Sequence, residues 1–401
     1  MAWFVQTVRS GKVLINDRFC ANQLLKTDRN HFPGQPRQTD RRTNGLATDV
    51  WRSPINGVTC PYVNCTFMAP FHLLLLLSVL IAPDSVPATK INGVNFVAPV
   101  KAVPASCMTP VRDLNAGWVA LNPYAFVKRG QPEVTFNTNG HWWGERPEGI
   151  RTCIQHAHQQ GLKVMVKPHV WVAGQGWAGD FTLDNEADWQ RWETTYTQYV
   201  LTLADLAKET DADMFCVGTE FRQVTRQRPA FWKRLIQQVR AHYGGPLTYA
   251  ANWDEYERIS FWPLLDYIGV DAYFPLSESD TPGIAELMVA WKKPAKRLQA
   301  FSLKQQKPML FTEYGYRSVD RTAGKQWELP DSWNQKAPVN LVAQQNAYAA
   351  LFRTFWQQPW FAGGFLWKWY EDNEKAGGPQ NDDYTPQRKP AEALIRQQYG
   401  Q

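Results

Sequence analysis

The chain has 401 residues, 44% of them hydrophobic and 20% charged, a globular composition with length for one large domain or two ordinary ones. Its formal charge of +6 belongs mostly to the front: residues 1–67 hold nine Lys and Arg against four Asp and Glu, whereas residues 89–401 hold 34 against 32, scattered. That balance excludes a nucleic-acid footprint, and six cysteines with no C-x-x-C pair or Cys/His spacing show neither a disulfide framework nor a zinc motif.

In chain order, residues 1–67 carry no sustained period of 3.6 or 2 and mix Arg, Asn, Thr, Gln and Pro, as from His31 to Asn44. They read as disordered or as a non-native upstream extension. Met68 to Ala82 then holds an apolar run of about a dozen residues, too short to span a bilayer but of signal-peptide length. Ser85-Val86-Pro87-Ala88 supplies small residues for a cut after Ala88. Residues 68–88 therefore read as a signal-like segment with translation starting at Met68, a secreted or periplasmic product, and no membrane span in the mature chain. A membrane anchor or a buried helix is the alternative, because the stretch before the run offers His72 but no Lys or Arg.

From Lys90 a beat repeats: a short β-rich run, a loop, an amphipathic helix. The runs are Ile91–Val97, Gly117–Tyr124, Lys163–Val170, Met214–Phe221, Leu247–Trp253, Tyr267–Phe274, Pro308–Tyr316 and Ala362–Trp369. Helical stretches include Glu148–Gln160, Ala187–Thr210, Ala230–Tyr243, Gly283–Gln305 and Val339–Gln357, with Gly161 and Gly244 as C-cap signals and Asn185 to Asp188 as a helix start. Strand–helix alternation predicts the α/β class with a parallel sheet, and eight units in about 310 residues predict a closed (β/α)8 TIM barrel over 89–401 as the catalytic domain. No G-x-G-x-x-G or G-K-[ST] loop follows the first strand, so no nucleotide cofactor is expected.

Two of these runs stop on a carboxylate, Glu220 in Val217-Gly-Thr-Glu and Glu313 in Phe311-Thr-Glu-Tyr. A carboxylate at the end of a buried strand is unfavourable unless it is paired or has a task. In a barrel the C-terminal strand ends open on one face, and two acids there suit glycosidic bond cleavage. The alternative is a pair of structural ion pairs with Arg222 and Arg317. The other strand tips are polar or aromatic: Asn122, Lys167, His169, Asn252, Trp253, Asp271, Tyr273 and Trp367. They are candidate ligands for a polyhydroxylated substrate. Of the 19 Trp, those in loops (Trp142, Trp143, Trp171, Trp177, Trp253, Trp327, Trp333) are candidate sugar platforms, with core packing as the other reading. His156 and His158 imitate an H-x-H metal pair but sit two apart on a helix, where they face different ways, so no metal is expected. His169 lacks a G-x-S-x-G companion and reads as a sugar-hydroxyl partner.

Gly161-Leu-Lys-Val-Met-Val-Lys-Pro-His169, Val217-Gly-Thr-Glu220, Tyr267-Ile-Gly-Val-Asp-Ala-Tyr273, Pro308-Met-Leu-Phe-Thr-Glu-Tyr-Gly315 and Gly363-Gly-Phe-Leu-Trp367 together resemble clan A of the glycoside hydrolases, and most closely glycoside hydrolase family 113, known for β-1,4-mannanases. The resemblance runs from about Ile91 to the end. It implies Glu220 as acid/base, Glu313 as nucleophile, Tyr273 hydrogen-bonded to the nucleophile, and Trp367 as the floor beneath the attacked sugar. It further implies retention of configuration, no cofactor, and a polysaccharide or oligosaccharide as partner. A retaining enzyme holds its carboxyl groups about 5–5.5 Å apart. Thr219 stands where the wider clan has Asn, which leaves open the group that contacts the sugar 2-hydroxyl, and Asn122 stands where the clan has Arg. Three rival readings are a non-catalytic carbohydrate-binding barrel, a metal-dependent barrel hydrolase (for which the strand ends lack clustered His and Asp ligands), and the same chemistry on β-glucan or oligosaccharides. Segments 128–147, 174–184 and 319–338 would shape the groove.

Overall fold

The computed structural model describes residues 89–328 and 337–401. The upstream extension, the signal-like segment, Trp333 and part of the 319–338 segment lie outside the described residues.

Eight parallel strands close into a barrel. They are β1 (Ile91–Phe96), β2 (Trp118–Leu121), β4 (Lys163–Val166), β6 (Met214–Thr219), β7 (Leu247–Asn252), β8 (Ile268–Asp271), β9 (Met309–Tyr314) and β10 (Phe361–Trp369). The ring closes where β10 pairs with β1, with Val94 opposite Leu366 and Asn95 opposite Trp367. All eight expected runs are present, seven of them shorter than expected, and in two the chain restarts as a new strand beyond a proline. β2 and β4 stop before Pro123 and Pro168, and the chain restarts as β3 (Tyr124–Lys128) and β5 (His169–Ala173), which form a separate two-stranded parallel sheet with Tyr124 opposite His169. Proline has no N–H for the ladder and holds its predecessor extended, so each X-Pro step ends one sheet and starts another.

The helices are α1 (Thr109–Asp113), α2 (Pro147–Gln159), α3 (Glu186–Glu209), α4 (Arg222–Gln227), α5 (Pro229–His242), α6 (Ile284–Gln305), α7 (Leu341–Phe355) and α8 (Pro390–Tyr399). α3 starts at Asn185, whose side chain accepts from the Asp188 N–H at 2.9 Å. Gly161, at φ +74°, is the left-handed residue past α2. Gly244 has no such role: α5 ends on Tyr243 in an extended conformation, so the cap expected there is absent. α8, short and at the end of the chain, was not evident from its periodicity; its Tyr399 hydroxyl reaches the Gly93 carbonyl at 2.9 Å and ties the last helix to β1.

Within the barrel, Ile91, Ala120, Met165, Met214, Cys216, Ala250, Leu310 and Phe365 form an apolar plug. Cys216 is a small buried hydrophobe there, and Cys107 and Cys153 are likewise buried and free. The larger core fills the space between barrel and helices. Above the plug the inward side chains turn polar: Asn95, Lys167, Asp271 and Glu313 are all buried. Among the described residues no helix is long and apolar enough to cross a membrane.

Candidate active site

Glu220 follows the last residue of β6. Its backbone lies at φ +54°, a left-handed conformation rare for a residue with a side chain, and such departures concentrate at functional positions. Two bonds hold it there: the Glu220 N–H donates to the Ala250 carbonyl at 2.8 Å, and the Phe221 N–H donates to the Tyr249 hydroxyl at 2.8 Å. Two residues earlier, Gly218 is packed so tightly that a Cβ would come 2.7 Å from the Tyr196 hydroxyl and from Trp232. An aromatic cluster of Trp192, Tyr196, Phe221, Trp232 and Tyr249 therefore fixes the strand end from behind.

The Glu220 side chain has one strong polar neighbour. The Trp177 indole N–H donates to Oε2 at 2.6 Å. Burial, then the charge of Glu313, raises its carboxyl to about 7, against the opposing pull of the Trp177 N–H and of Lys167. Trp177 is itself clamped: the Arg222 guanidinium lies 4.5 Å from its ring centroid. Arg222 also pairs with Asp180 and stands 3.9 Å from Asp254.

Glu313 lies within β9 and is 4% exposed. The Lys167 ammonium donates to its Oε1, and the Tyr273 hydroxyl donates to Oε2 at 2.7 Å. Each carboxylate oxygen thus has its own donor. Two residues on, Gly315 lets β9 pass the end of β10, where a Cβ would sit 2.4 Å from the Trp367 carbonyl. Arg317 pairs with Asp382 at 3.0 Å. Neither glutamate is thus the partner of the arginine near it in sequence, so the two ion pairs of the structural alternative are not formed among the described residues.

Both acids line one open cleft, together with Tyr124, His169, Trp171, Trp177, Thr219 and Trp367. His169 packs between Tyr124, 4.9 Å between ring centroids, and Trp367, stacked at 6.0 Å. Burial and the nearby Lys167 lower its imidazole well below the usual value, so it is neutral and its Nε2, 3.7 Å from Glu313, is not an ion-pair partner.

Other tip residues sit elsewhere. Lys167 and Asp271 are 0% exposed and have no surface on the cleft, so the expectation that they bind substrate directly is corrected: burial behind Glu313 makes them its support. Asn122 donates to the Phe96 and Ala120 carbonyls, both at 3.3 Å, and secures the end of β2. The Asn252 side-chain Oδ1 accepts from the Trp253 N–H at 2.9 Å, and the residue lines a smaller cavity behind Glu220. Trp253 stacks on Trp327 at 5.8 Å and packs beside Tyr273, Trp367 and Tyr384. The Thr219 hydroxyl is committed to the Pro168 carbonyl at 3.0 Å. Trp143 packs against the core, and His158 lies 3.3 Å from Asp213. Among the described residues no group of three or more His, Cys, Asp or Glu is placed to hold a metal ion. Tyr124, at the tip of the second expected run, does reach the cleft, whereas the sequence reading missed Tyr384, whose loop gave no signal.

The family model for Glycoside Hydrolase Family 113 matches residues 101–389. Similar solved structures include the family 113 β-mannanase of Alicyclobacillus acidocaldarius in complex with ManMIm, at 25% identity and a TM-score of 0.67, covering 78% of this chain and 97% of that one. A family 113 β-1,4-mannanase solved as a complex matches at 26% identity and a TM-score of 0.66, covering 78% and 99%. A Ruminococcus gnavus β-glucuronidase, at 12% identity and a TM-score of 0.55 over 78% of this chain and 50% of that one, shares the fold alone. No curated protein sequence matches significantly. With a closed eight-stranded barrel, two acids facing one cleft and a family model spanning most of the described residues, the chain belongs to glycoside hydrolase family 113 and is a glycoside hydrolase.

Proposed function

We propose that the enzyme cleaves β-1,4-linked mannan or a related β-glycan by double displacement with retention. The observation that carries this is the contrast between two acids in one cleft: Glu220 is raised to about 7 beside a single indole N–H, while Glu313 receives an ammonium and a phenol. Paired acids need such different settings to act as a proton donor and a nucleophile at one pH. In the first step a Glu313 oxygen bonds to the anomeric carbon as the bond to the departing oxygen breaks. The Glu220 proton goes to that oxygen. In the second step Glu220 takes a proton from water, water attacks the anomeric carbon, and the ester to Glu313 breaks. His169, Trp171, Trp177 and Trp367 supply the polar edge and flat faces around the sugar. The β-mannanase names of the two family members at 25% and 26% identity support the substrate class.

The test is a product profile on mannan, glucomannan, cellulose and xylan, with proton NMR of the first-formed anomer. Mannan cleavage releasing the β-anomer first is expected. Release of the α-anomer first would mean inversion, and preference for cellulose would move the substrate to β-glucan. Export after cleavage at Ala88 is part of the same proposal; N-terminal sequencing of the secreted protein should begin at Thr89.

A further inference from the structure

Lys167 crosses the barrel mouth from the end of β4 to β8 and β9. Its ammonium is fully buried, donates to Glu313 Oε1, lies 3.8 Å from Asp271 Oδ1 and 5.7 Å from the centroid of Trp367. Asp271 is equally buried; its Oδ1 accepts from the Thr312 hydroxyl at 2.7 Å, while Oδ2 has no hydrogen-bond partner among the described residues. Neither side chain can touch a sugar. A buried ion pair is weak evidence for stability, since desolvation opposes the attraction between the partners. Two buried ionisable groups gathered under one reacting carboxylate therefore point to function.

We propose that Lys167 and Asp271 are a positioning pair for the nucleophile, in which Lys167 is the counter-ion that keeps Glu313 anionic and Asp271 seats Lys167 when Glu313 becomes an ester. The inference rests on the nucleophile role of Glu313 given above. In the first step the negative charge leaves Glu313 and appears on Glu220, whose proton departs with the leaving group. Lys167 then loses one of its two acidic neighbours and keeps Asp271. Burial and the charge of Glu313 push the Asp271 carboxyl well up in the free enzyme, and esterification removes the second of these causes.

The other titratable groups facing this cluster bring no cation. His169 on β5 is lowered by burial and by Lys167, so it is neutral. Cys216 on β6 is pushed up to about 12 by burial. Tyr124, Tyr273 and Tyr384 are all raised by burial and remain phenols. Glu220 on the far side is an acid. Among the described residues facing Glu313, Lys167 alone carries positive charge.

The experiment compares kcat/KM against pH on an activated aryl β-mannoside for the wild type, Lys167→Met, Asp271→Asn, the double variant and Glu313→Ala. It adds inactivation and reactivation with a 2-deoxy-2-fluoro-β-mannosyl fluoride, and thermal melts as a fold check. Lys167→Met should move the acid-side limb up by about one pH unit or more, so activity below it falls roughly tenfold or more and recovers as pH rises. Asp271→Asn should slow reactivation of the trapped glycosyl-enzyme more than its formation. If Lys167→Met does not fold, the double variant, which removes both charges together, reports the same limb. A purely structural role would lower activity evenly at all pH; an unmoved limb with unchanged reactivation overturns the inference. Activity remaining in Glu313→Ala overturns the nucleophile reading and this inference with it, whereas an inactive Glu313→Ala beside an unmoved limb overturns this inference alone.

Discussion

Glu220 and Glu313 are one residue type in two electrostatic settings. Glu220 is raised to about 7 by burial and by its partner acid, so it holds a proton at mildly acidic pH. A raised acid serves as proton donor below that value and loses the role as pH rises through it, which predicts an alkaline limb of kcat/KM near 7. The Trp177 N–H favours the charged form of Glu220. Trp177→Phe should therefore shift that limb to higher pH, read from the same profile; a limb that stays or moves down would remove Trp177 from the acid's control. The two carboxylates were legible in the sequence because each ends an apolar run. The roles of Lys167 and Asp271 were not: a strand tip looks alike in sequence whether its side chain faces the cleft or the barrel interior beneath it.

Elements carry the site as rigid units. The segment from Asn381 to Lys389 is tied to the ends of β9 and β10 by Arg317 to Asp382 at 3.0 Å, Lys368 to Asp383 at 3.3 Å and the Tyr370 hydroxyl to Asp383 at 2.8 Å. It places Tyr384 against Tyr273, which holds the nucleophile. Both members of the Arg317–Asp382 pair are buried, so removing the carboxylate takes a buried counter-charge away from the guanidinium. Asp382→Ala should cost roughly 3–5 kcal/mol, read as a lower urea midpoint at unchanged slope. This segment has no periodicity and no motif, and nothing in its sequence marks it as part of the active-site wall. The prolines at 123 and 168 did carry a legible signal, since a residue without an N–H cannot continue a ladder, and the split into β3 and β5 follows from it.

Across the whole molecule, ionisable groups buried by folding link stability to pH. Burial lowers Lys389 to about 7, although Asp383 and Asp382 pull the other way; its amine donates to the Ser318 hydroxyl at 2.9 Å and to the Asp383 carbonyl at 2.8 Å. Between about 7 and its unfolded value the unfolded chain binds this proton and the folded chain does not, so stability rises with pH in that window. The melting temperature should climb from pH 7 to pH 8, below the range where cysteines and tyrosines of the unfolded chain ionise. Lys389→Met should flatten that climb; a slope that persists in the variant would assign it to other groups.

The sequence by itself determined the eight-stranded barrel, the order of its strands and the two glutamates, because alternation, apolar runs and strand-end carboxylates are local patterns that survive without tertiary contacts. Only the tertiary structure decided which tips converge. Closing the ring set Lys167, just past β4, under Glu313 from β9, 146 residues away, and turned Asn122 to the backbone carbonyls of Phe96 and Ala120. The direction of each side chain depends on register and on where each strand breaks, and those follow from how the whole ring packs.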